Sequence, residues 1–348
     1  MLTNRRIWLG VAVSGVFLGI LFYQLDLSEL RDALASANYL YLIPAIAVYF
    51  VSLYVRAFRW RYLLLPFAET RTRRLYPVVL VGYMANNVLP MRLGELARSY
   101  YLSVREPVRG STALATILIE RVFDGLTLLF FLAVAALFLP VPGLAERVSD
   151  SVGWPLWVIA ASVIVPFVSV LAIMLAAATF PDRFLAGVER FTRRLPDRYA
   201  LPLFGLVGRF LSWFEGLHRP SRLFTVFLLS APIWIVEGTM YYIVALGFDL
   251  QSEFDTVGLM IAAMLVLTSV SNLATSIPSS QGSVGPFELL GALSLVFLGV
   301  ASGVASAYIL VLHLALLLPV IAMGMAHLAM SGLSLLDLTH GNIPRASD

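Results

Sequence analysis

Apolar residues run along this chain in blocks separated by short polar stretches. The blocks are too long and too uniform for helices with one wet face. About 20 mainly apolar residues are needed to cross ~30 Å of hydrocarbon. Full spans are predicted near 7–25, 40–63, 111–139, 154–180, 222–247 and 301–330. Two further apolar blocks are broken. Residues 76–89 are short and run into Asn86-Asn87-Val88-Leu89-Pro90, while 256–299 are interrupted by a stretch holding Pro278, Gly282 and Gly285. Pro and Gly stop a helix in mid-run, and broken backbone at membrane depth survives only where protein or a watery cavity covers it. The expected fold is all-α: one polytopic membrane domain over 1–348, with about six full transmembrane helices and two re-entrant helical hairpins.

Charge placement orients the chain. With the N-terminus inside, the loops at 26–38, 140–153 and 248–255 face out and hold two arginines, Arg31 and Arg147, against eight acids. The segments 56–74, 91–109 and 181–222 face in and hold 18 arginines. Positive residues favour the cytoplasmic side, so both termini are expected inside. Residues 76–102 then enter and leave on the inner side, and 256–299 on the outer side. Arg5-Arg6 before an apolar run resembles a signal peptide, but no small-x-small cleavage site follows, so an uncleaved first helix is expected.

This order contains a symmetry. Span, inner hairpin, span in the first half becomes span, outer hairpin, span in the second, with halves at about 40–139 and 222–330. Asn87…Pro90…Gly94-Glu95 resembles Asn272…Pro278…Gly285…Glu288. Inverted repeats with broken helices place binding sites at the breaks; the alternative is coincidence, because such breaks are common in membrane helices. Between the halves, Phe184, Val188, Phe191 and Leu195 recur at helical spacing among arginines. Residues 181–221 therefore read as a cytoplasmic amphipathic linker lying on anionic lipid.

Composition narrows the class. Hydrophobic residues make up 59% and charged residues 13%, which excludes a soluble enzyme, a disordered chain and a nucleic-acid module. There is no cysteine, so disulfides, thiolate metal sites and cysteine nucleophiles are excluded. All 24 basic residues are arginine; nothing in the sequence explains the absence of lysine.

Ionisable residues at membrane depth are the strongest functional signal. Glu120, Arg121 and Asp124 sit inside the span 111–139, where three charges cost roughly 8–10 kcal/mol against roughly 5–10 kcal/mol returned by the apolar residues. That helix must face protein or water. Glu120 and Asp124 share a face, so a positive partner from another segment, or a bound proton, is required. Arg92, Glu95 and Arg98 form a helical ladder just after the break at Pro90. Arginine grips phosphate oxygens with a planar fork, and a helix start adds free N–H groups. Two readings stay open: Arg92 and Arg98 hold an anionic headgroup, or they lock the hairpin to Glu120. Arg56 and Arg59, beside Trp60, read as interfacial anchors or headgroup contacts. Asn272 and Gln281 belong to a polar strip on the second hairpin, followed by Glu288. Glu237 is a lone buried acid, structural or proton-carrying. The histidines are not placed to bind metal, no nucleotide-binding or hydrolase motif is present, and no cofactor is expected.

Taken together, Arg56…Arg59-Trp60, Asn87 to Glu95 with Arg98, Glu120-Arg121…Asp124 and Gly282…Gly285…Glu288 resemble the flippase-like family, the transmembrane region of lysylphosphatidylglycerol synthase. The resemblance covers nearly the whole chain. It implies a multi-pass plasma-membrane protein that moves lipids or lipid-linked headgroups between leaflets. In one branch of the family this region is joined to an aminoacyl-transfer domain; these 348 residues hold no such half, so lysyl transfer is not expected. Where the family usually reads Pro-Gly-Gly, this chain has Gln281-Gly282-Ser283. The expected partners are anionic membrane lipids and an enzyme supplying the lipid, with no nucleic acid. Three function classes follow: a translocase independent of ATP, in which Glu95, Glu120 and Asp124 balance the arginines; a membrane-embedded headgroup transferase; and a non-transporting scaffold.

Overall fold

The computed structural model describes residues 5–23, 26–89, 93–139, 153–192, 220–277, 279–333 and 337. Among them the secondary structure is helical throughout. In chain order the helices are α1 (Arg5–Tyr23), α2 (Leu27–Ser36), α3 (Leu42–Leu64), α4 (Thr72–Val88), α5 (Gly94–Arg105) and α6 (Gly110–Phe138). They continue as α7 (Leu156–Thr179), α8 (Pro181–Thr192), α9 (Pro220–Gly247), α10 (Val257–Ala274), α11 (Pro286–Phe297) and α12 (Ser302–Met330). The all-α polytopic expectation is borne out.

Length and composition sort these helices. Among the described residues, Tyr39–Leu64, Gly110–Phe138, Arg222–Gly247, Val257–Ala274 and Ser302–Met330 are long and apolar enough to cross a membrane. Four of these match predicted spans. The spans expected at 7–25 and 154–180 are helical, as α1 and α7, with 19 and 24 residues. At 18 residues α10, the first half of the segment expected as a re-entrant hairpin at 256–299, is about 27 Å long, enough to cross by itself. α5 and α11 have 12 residues each, about 18 Å, too short to span.

Local sequence accounts for the ends. Asp26 caps α2 by accepting the Ser28 and Glu29 N–H groups. Thr256 Oγ1 accepts the Leu259 N–H at the start of α10. Pro286 opens α11, where a missing N–H costs nothing, and Gly285 before it has φ +102°, a conformation that L side chains rarely adopt.

Packing is paired. α3 lies along α9, α6 along α10, and α12 along α4. α4 folds back on α5, and α10 on α11; α5 also packs on α6, and α11 on α12. Exchanging α3–α6 for α9–α12 maps α3–α9 onto itself and each of the other contacts onto another in the set. Buried Trp60, Tyr241 and Tyr308 fill the centre. Gly324 of α12 accepts Met84 of α4 so closely that an added Cβ would lie 2.5 Å from the methionine.

Pro90, Arg92 and Pro278 lie outside the described residues, as do the loop 140–152 with Arg147 and residues 193–219 of the expected linker. That linker is described only through α8 and the start of α9.

Candidate functional site

The depth charges converge. Asp124 is the central residue of α6, and across from it α3 presents Arg56 and Arg59 one turn apart. Arg59 Nη1 donates to Asp124 Oδ1 at 2.7 Å and to Ser230 Oγ at 2.7 Å. Its Nη2 lies 3.5 Å from Glu120 Oε1. Arg98 Nη1 donates to Glu120 Oε2 at 2.9 Å, and its guanidinium sits 3.7 Å over the Trp60 ring. Arg56 Nη2 donates to Glu237 Oε2 at 2.6 Å, while its Nη1 is 3.6 Å from Asp124 Oδ2. Arg121 is 3.6 Å from Glu95 and 3.8 Å from Asp124, and donates to the Tyr83 hydroxyl at 3.3 Å.

These eight groups balance. Arg56, Arg59, Arg98 and Arg121 face Glu95, Glu120, Asp124 and Glu237. In low dielectric a lone charge carries a desolvation cost of several kcal/mol, offset only by a well-aligned opposite charge, so Arg56, Arg59 and Arg98 are buried together with Glu120, Asp124 and Glu237, while Arg121 and Glu95 pair half-buried beside them. Arg56 is 3% and Arg59 1% exposed, which overturns the anchor reading: neither reaches an interface. Glu237 is paired rather than alone. Glu120 does draw its partners from other segments.

A cavity of about 320 Å³ opens beside this network. Both hairpin breaks border it, through Asn86, Asn87 and Glu95 on one side and Asn272, Ser276 and Gly282 on the other. Arg56, Arg121, Asp124 and Glu237 form its charged wall. Several atoms on these walls make no hydrogen bond among the described residues: Arg56 Nε and Nη1, Arg121 Nε, Asp124 Oδ2, Asn86 Oδ1 and Trp234 Nε1. Buried groups of this kind are normally satisfied, so the wall offers both donors and acceptors.

The sequence-predicted residues divide by position. Arg56, Asn87, Glu95, Arg121, Asp124, Asn272 and Gly282 border the cavity. Arg59, Arg98, Glu120 and Glu288 stand behind its wall, and Gln281 lies in the short turn Gln281–Ser283 at its edge. Gly94 packs against α4, where an added Cβ would be 2.3 Å from the Asn86 backbone nitrogen. Gly285 packs against α1, where an added Cβ would be 2.9 Å from the Ser14 carbonyl oxygen. Asn272 donates to the Tyr241 hydroxyl at 2.9 Å.

Tyr83, Trp234 and His313 also border the cavity, and sequence reasoning did not select them. His313 carried a usable signal, as an ionisable residue inside an apolar span. Tyr83 and Trp234 carried none, because an aromatic in a membrane helix is usually packing. Among the described residues no three His, Asp or Glu side chains converge as a metal site.

A balanced ion network bordering a cavity at mid-helix height, in a bundle of apolar helices, defines an integral, multi-pass membrane protein. The chain belongs to the family described as the lysylphosphatidylglycerol synthase TM region, which matches residues 7–324. The motif resemblance is thereby borne out. The chain is 27% identical over 309 residues to Glycosyltransferase AglD of Haloferax volcanii, covering 82% of this chain and 48% of AglD. It thus spans about half of that relative's length. It is 23% identical over 337 residues to a UPF0104 membrane protein of Methanothermobacter thermautotrophicus, covering 93% and 95% of the two chains. A UPF0104 membrane protein of Methanocaldococcus jannaschii, MJ1595, is 27% identical over 122 residues, 34% of this chain and 36% of that one. No solved structure matches the chain with significance.

Proposed function

We propose that this protein is a lipid translocase of the cell membrane, moving an anionic phospholipid or lipid-linked headgroup between leaflets without ATP hydrolysis. The observation that carries this reading is the cavity bordered by both hairpin breaks and walled by arginines with unused N–H groups. Its size suits a headgroup, since small-ligand pockets begin at about 300 Å³; the acyl tails stay in lipid. Arg56 and Arg121 take the phosphate contacts at this wall. Arg98 braces Glu120 from behind. Glu95 and Asp124 keep the wall neutral when no headgroup is present.

The exchange of contacts between α3–α6 and α9–α12 supports a repeat; the arginine placement supports its inversion, with both termini inside and α4–α5 and α10–α11 as opposed hairpins. A scaffold would favour a dry interface with every buried charge satisfied; the cavity and its unsatisfied atoms weigh against that.

A second reading has one specific observation in its favour: a relative over half its length is named a glycosyltransferase. In that case Glu95 or Asp124 serves as a base. Mass spectrometry of lipids from a deletion strain separates the two. A missing lipid species indicates a transferase; unchanged composition with altered leaflet distribution indicates translocation.

The direct test uses phosphatidylcholine vesicles carrying fluorescent phosphatidylglycerol. Arg121→Gln removes a charge-assisted contact worth about 1.5–3 kcal/mol, so transport should slow about tenfold or more. Equal rates for wild type and Arg121→Gln sink the proposed role of this wall.

A further inference from the structure

At one stretch of the cavity border, His313 pairs with Glu288 just behind the wall, a pair that the arginine network does not touch. His313, 12 residues into α12, borders the cavity. Its Nδ1 lies 2.5 Å from Glu288 Oε1, and its ring stacks on Phe287 with centroids 4.1 Å apart. The two residues are 4% and 3% exposed. Glu288 Oε2 accepts the Gly285 N–H at 2.7 Å, so both carboxylate oxygens are occupied. Among the described residues no arginine reaches Glu288.

We infer that His313 and Glu288 form a proton-binding site that couples headgroup movement to a proton. This rests on the translocase reading above. Four arginines against four acids leave the network neutral, and guanidinium groups do not release protons near neutral pH. The state of the pair therefore sets the charge of the site. With imidazolium the pair is neutral and the cavity accepts an anion. With neutral imidazole an uncompensated carboxylate stands beside the cavity and repels one.

Geometry assigns the proton. Glu288 is held in its anionic form by the Gly285 N–H and by the positive end of α11. The exchangeable proton is therefore on His313, an imidazole being the one side chain that ordinarily titrates near neutrality. Nδ1 holds the carboxylate, which leaves Nε2 to take up and release the proton. The titratable and charged groups offered to the cavity by the helices packed on α12 are Tyr49 and Arg56 of α3, Tyr83 of α4 and Glu237 of α9. α11 presents Glu288 itself. α2 meets α12 at the far end, where Glu29 accepts the Gly303 N–H. Arg56 and Glu237 neutralise each other, so Glu288 is the charge that His313 answers to.

The test reconstitutes the full chain in phosphatidylcholine vesicles with fluorescent phosphatidylglycerol and imposes a gradient of about one pH unit. One proton per headgroup shifts the steady-state leaflet distribution about tenfold. His313→Gln keeps an N–H donor for Glu288 but leaves its carboxylate uncompensated, so it should move the lipid more slowly than wild type and to a distribution indifferent to the gradient. Glu288→Gln, which still accepts the Gly285 N–H, removes that charge, and its lipid distribution should also be indifferent to the gradient. His327→Gln, near the other end of α12, should respond like wild type. A wild type that moves lipid without regard to the gradient, or a His313→Gln protein that still responds, overturns the proposal. A wild type that moves no lipid sinks the translocase reading instead, and the pair is then judged by NMR titration of the His313 ring with and without dihexanoyl phosphatidylglycerol. A titration midpoint raised by the lipid supports a shared proton and anion site; an unmoved midpoint overturns it.

Discussion

The two hairpins have the same outline and are held by different forces. In α4–α5, Arg98 reaches Glu120 at 2.9 Å while its guanidinium lies on Trp60. Gly82 and Gly94 bring the arms into close contact, with added Cβ atoms falling 2.7 Å from the Arg98 side chain and 2.3 Å from the Asn86 nitrogen. In α10–α11 the break is held by α1: Ser14 Oγ donates to the Val284 carbonyl at 2.6 Å and accepts the Ser280 N–H at 2.9 Å. Separating a buried ion pair exposes two charges to low dielectric. Separating hydroxyl and amide contacts forfeits about 1 kcal/mol each. The first hairpin is therefore tied to the bundle by buried arginine–carboxylate pairs, and the second by hydroxyl contacts to α1 together with the Glu288–His313 pair.

The largest test of this contrast removes the charge that anchors the first hairpin. Glu120→Ala leaves Arg98 and Arg59 short of a partner and should cost about 3–5 kcal/mol, read as a lowered unfolding midpoint in detergent. The matching change in the second hairpin, Glu288→Ala, should cost less, because His313 can shed its proton; equal losses would erase the distinction. Next come the glycines. Gly94→Ala forces a methyl into backbone, and overpacking of this kind costs about 1–3 kcal/mol. Gly285→Ala adds positive-φ strain of a similar 1–3 kcal/mol or so. Its damage should be local to 279–285, whereas Gly94→Ala should also loosen α4, as separated by amide exchange. The smallest effect is Ser14→Ala. About 1–2 kcal/mol of hydrogen bonding is lost, with faster amide exchange at Ser280 and no change around Asn86. Altered exchange at both breaks would show that the hairpins move as one.

Much of this was legible along the chain. The apolar blocks at 40–63, 111–139, 222–247 and 301–330 stand as helices because ~30 Å of hydrocarbon demands a length that sequence displays directly. The breaks after Asn87 and around Gly282 were visible because Pro and Gly act locally. Glu120 and Asp124 were recognisable because charge inside an apolar run has no cheap explanation. Arg56 and Arg59 were read wrongly as possible anchors: their spacing near a helix end is the same whether they snorkel or turn inward. The pairing of His313 is not legible along the chain, since its partner Glu288 lies 25 residues away across a turn.

The sequence by itself determined that this is a helical membrane protein with two interrupted segments and acids where lipid would not tolerate them. Those are properties of single segments, set by hydropathy, helix breaking and desolvation. Only the tertiary structure decided which arginine meets which acid, that the eight charges cancel, that Arg56 and Arg121 face the cavity while Arg98 stands behind it, and that one histidine–glutamate pair is left outside the balance. Ion pairing at 3 Å depends on helices brought together across more than a hundred residues, as between Arg56 and Glu237, and no local pattern encodes it.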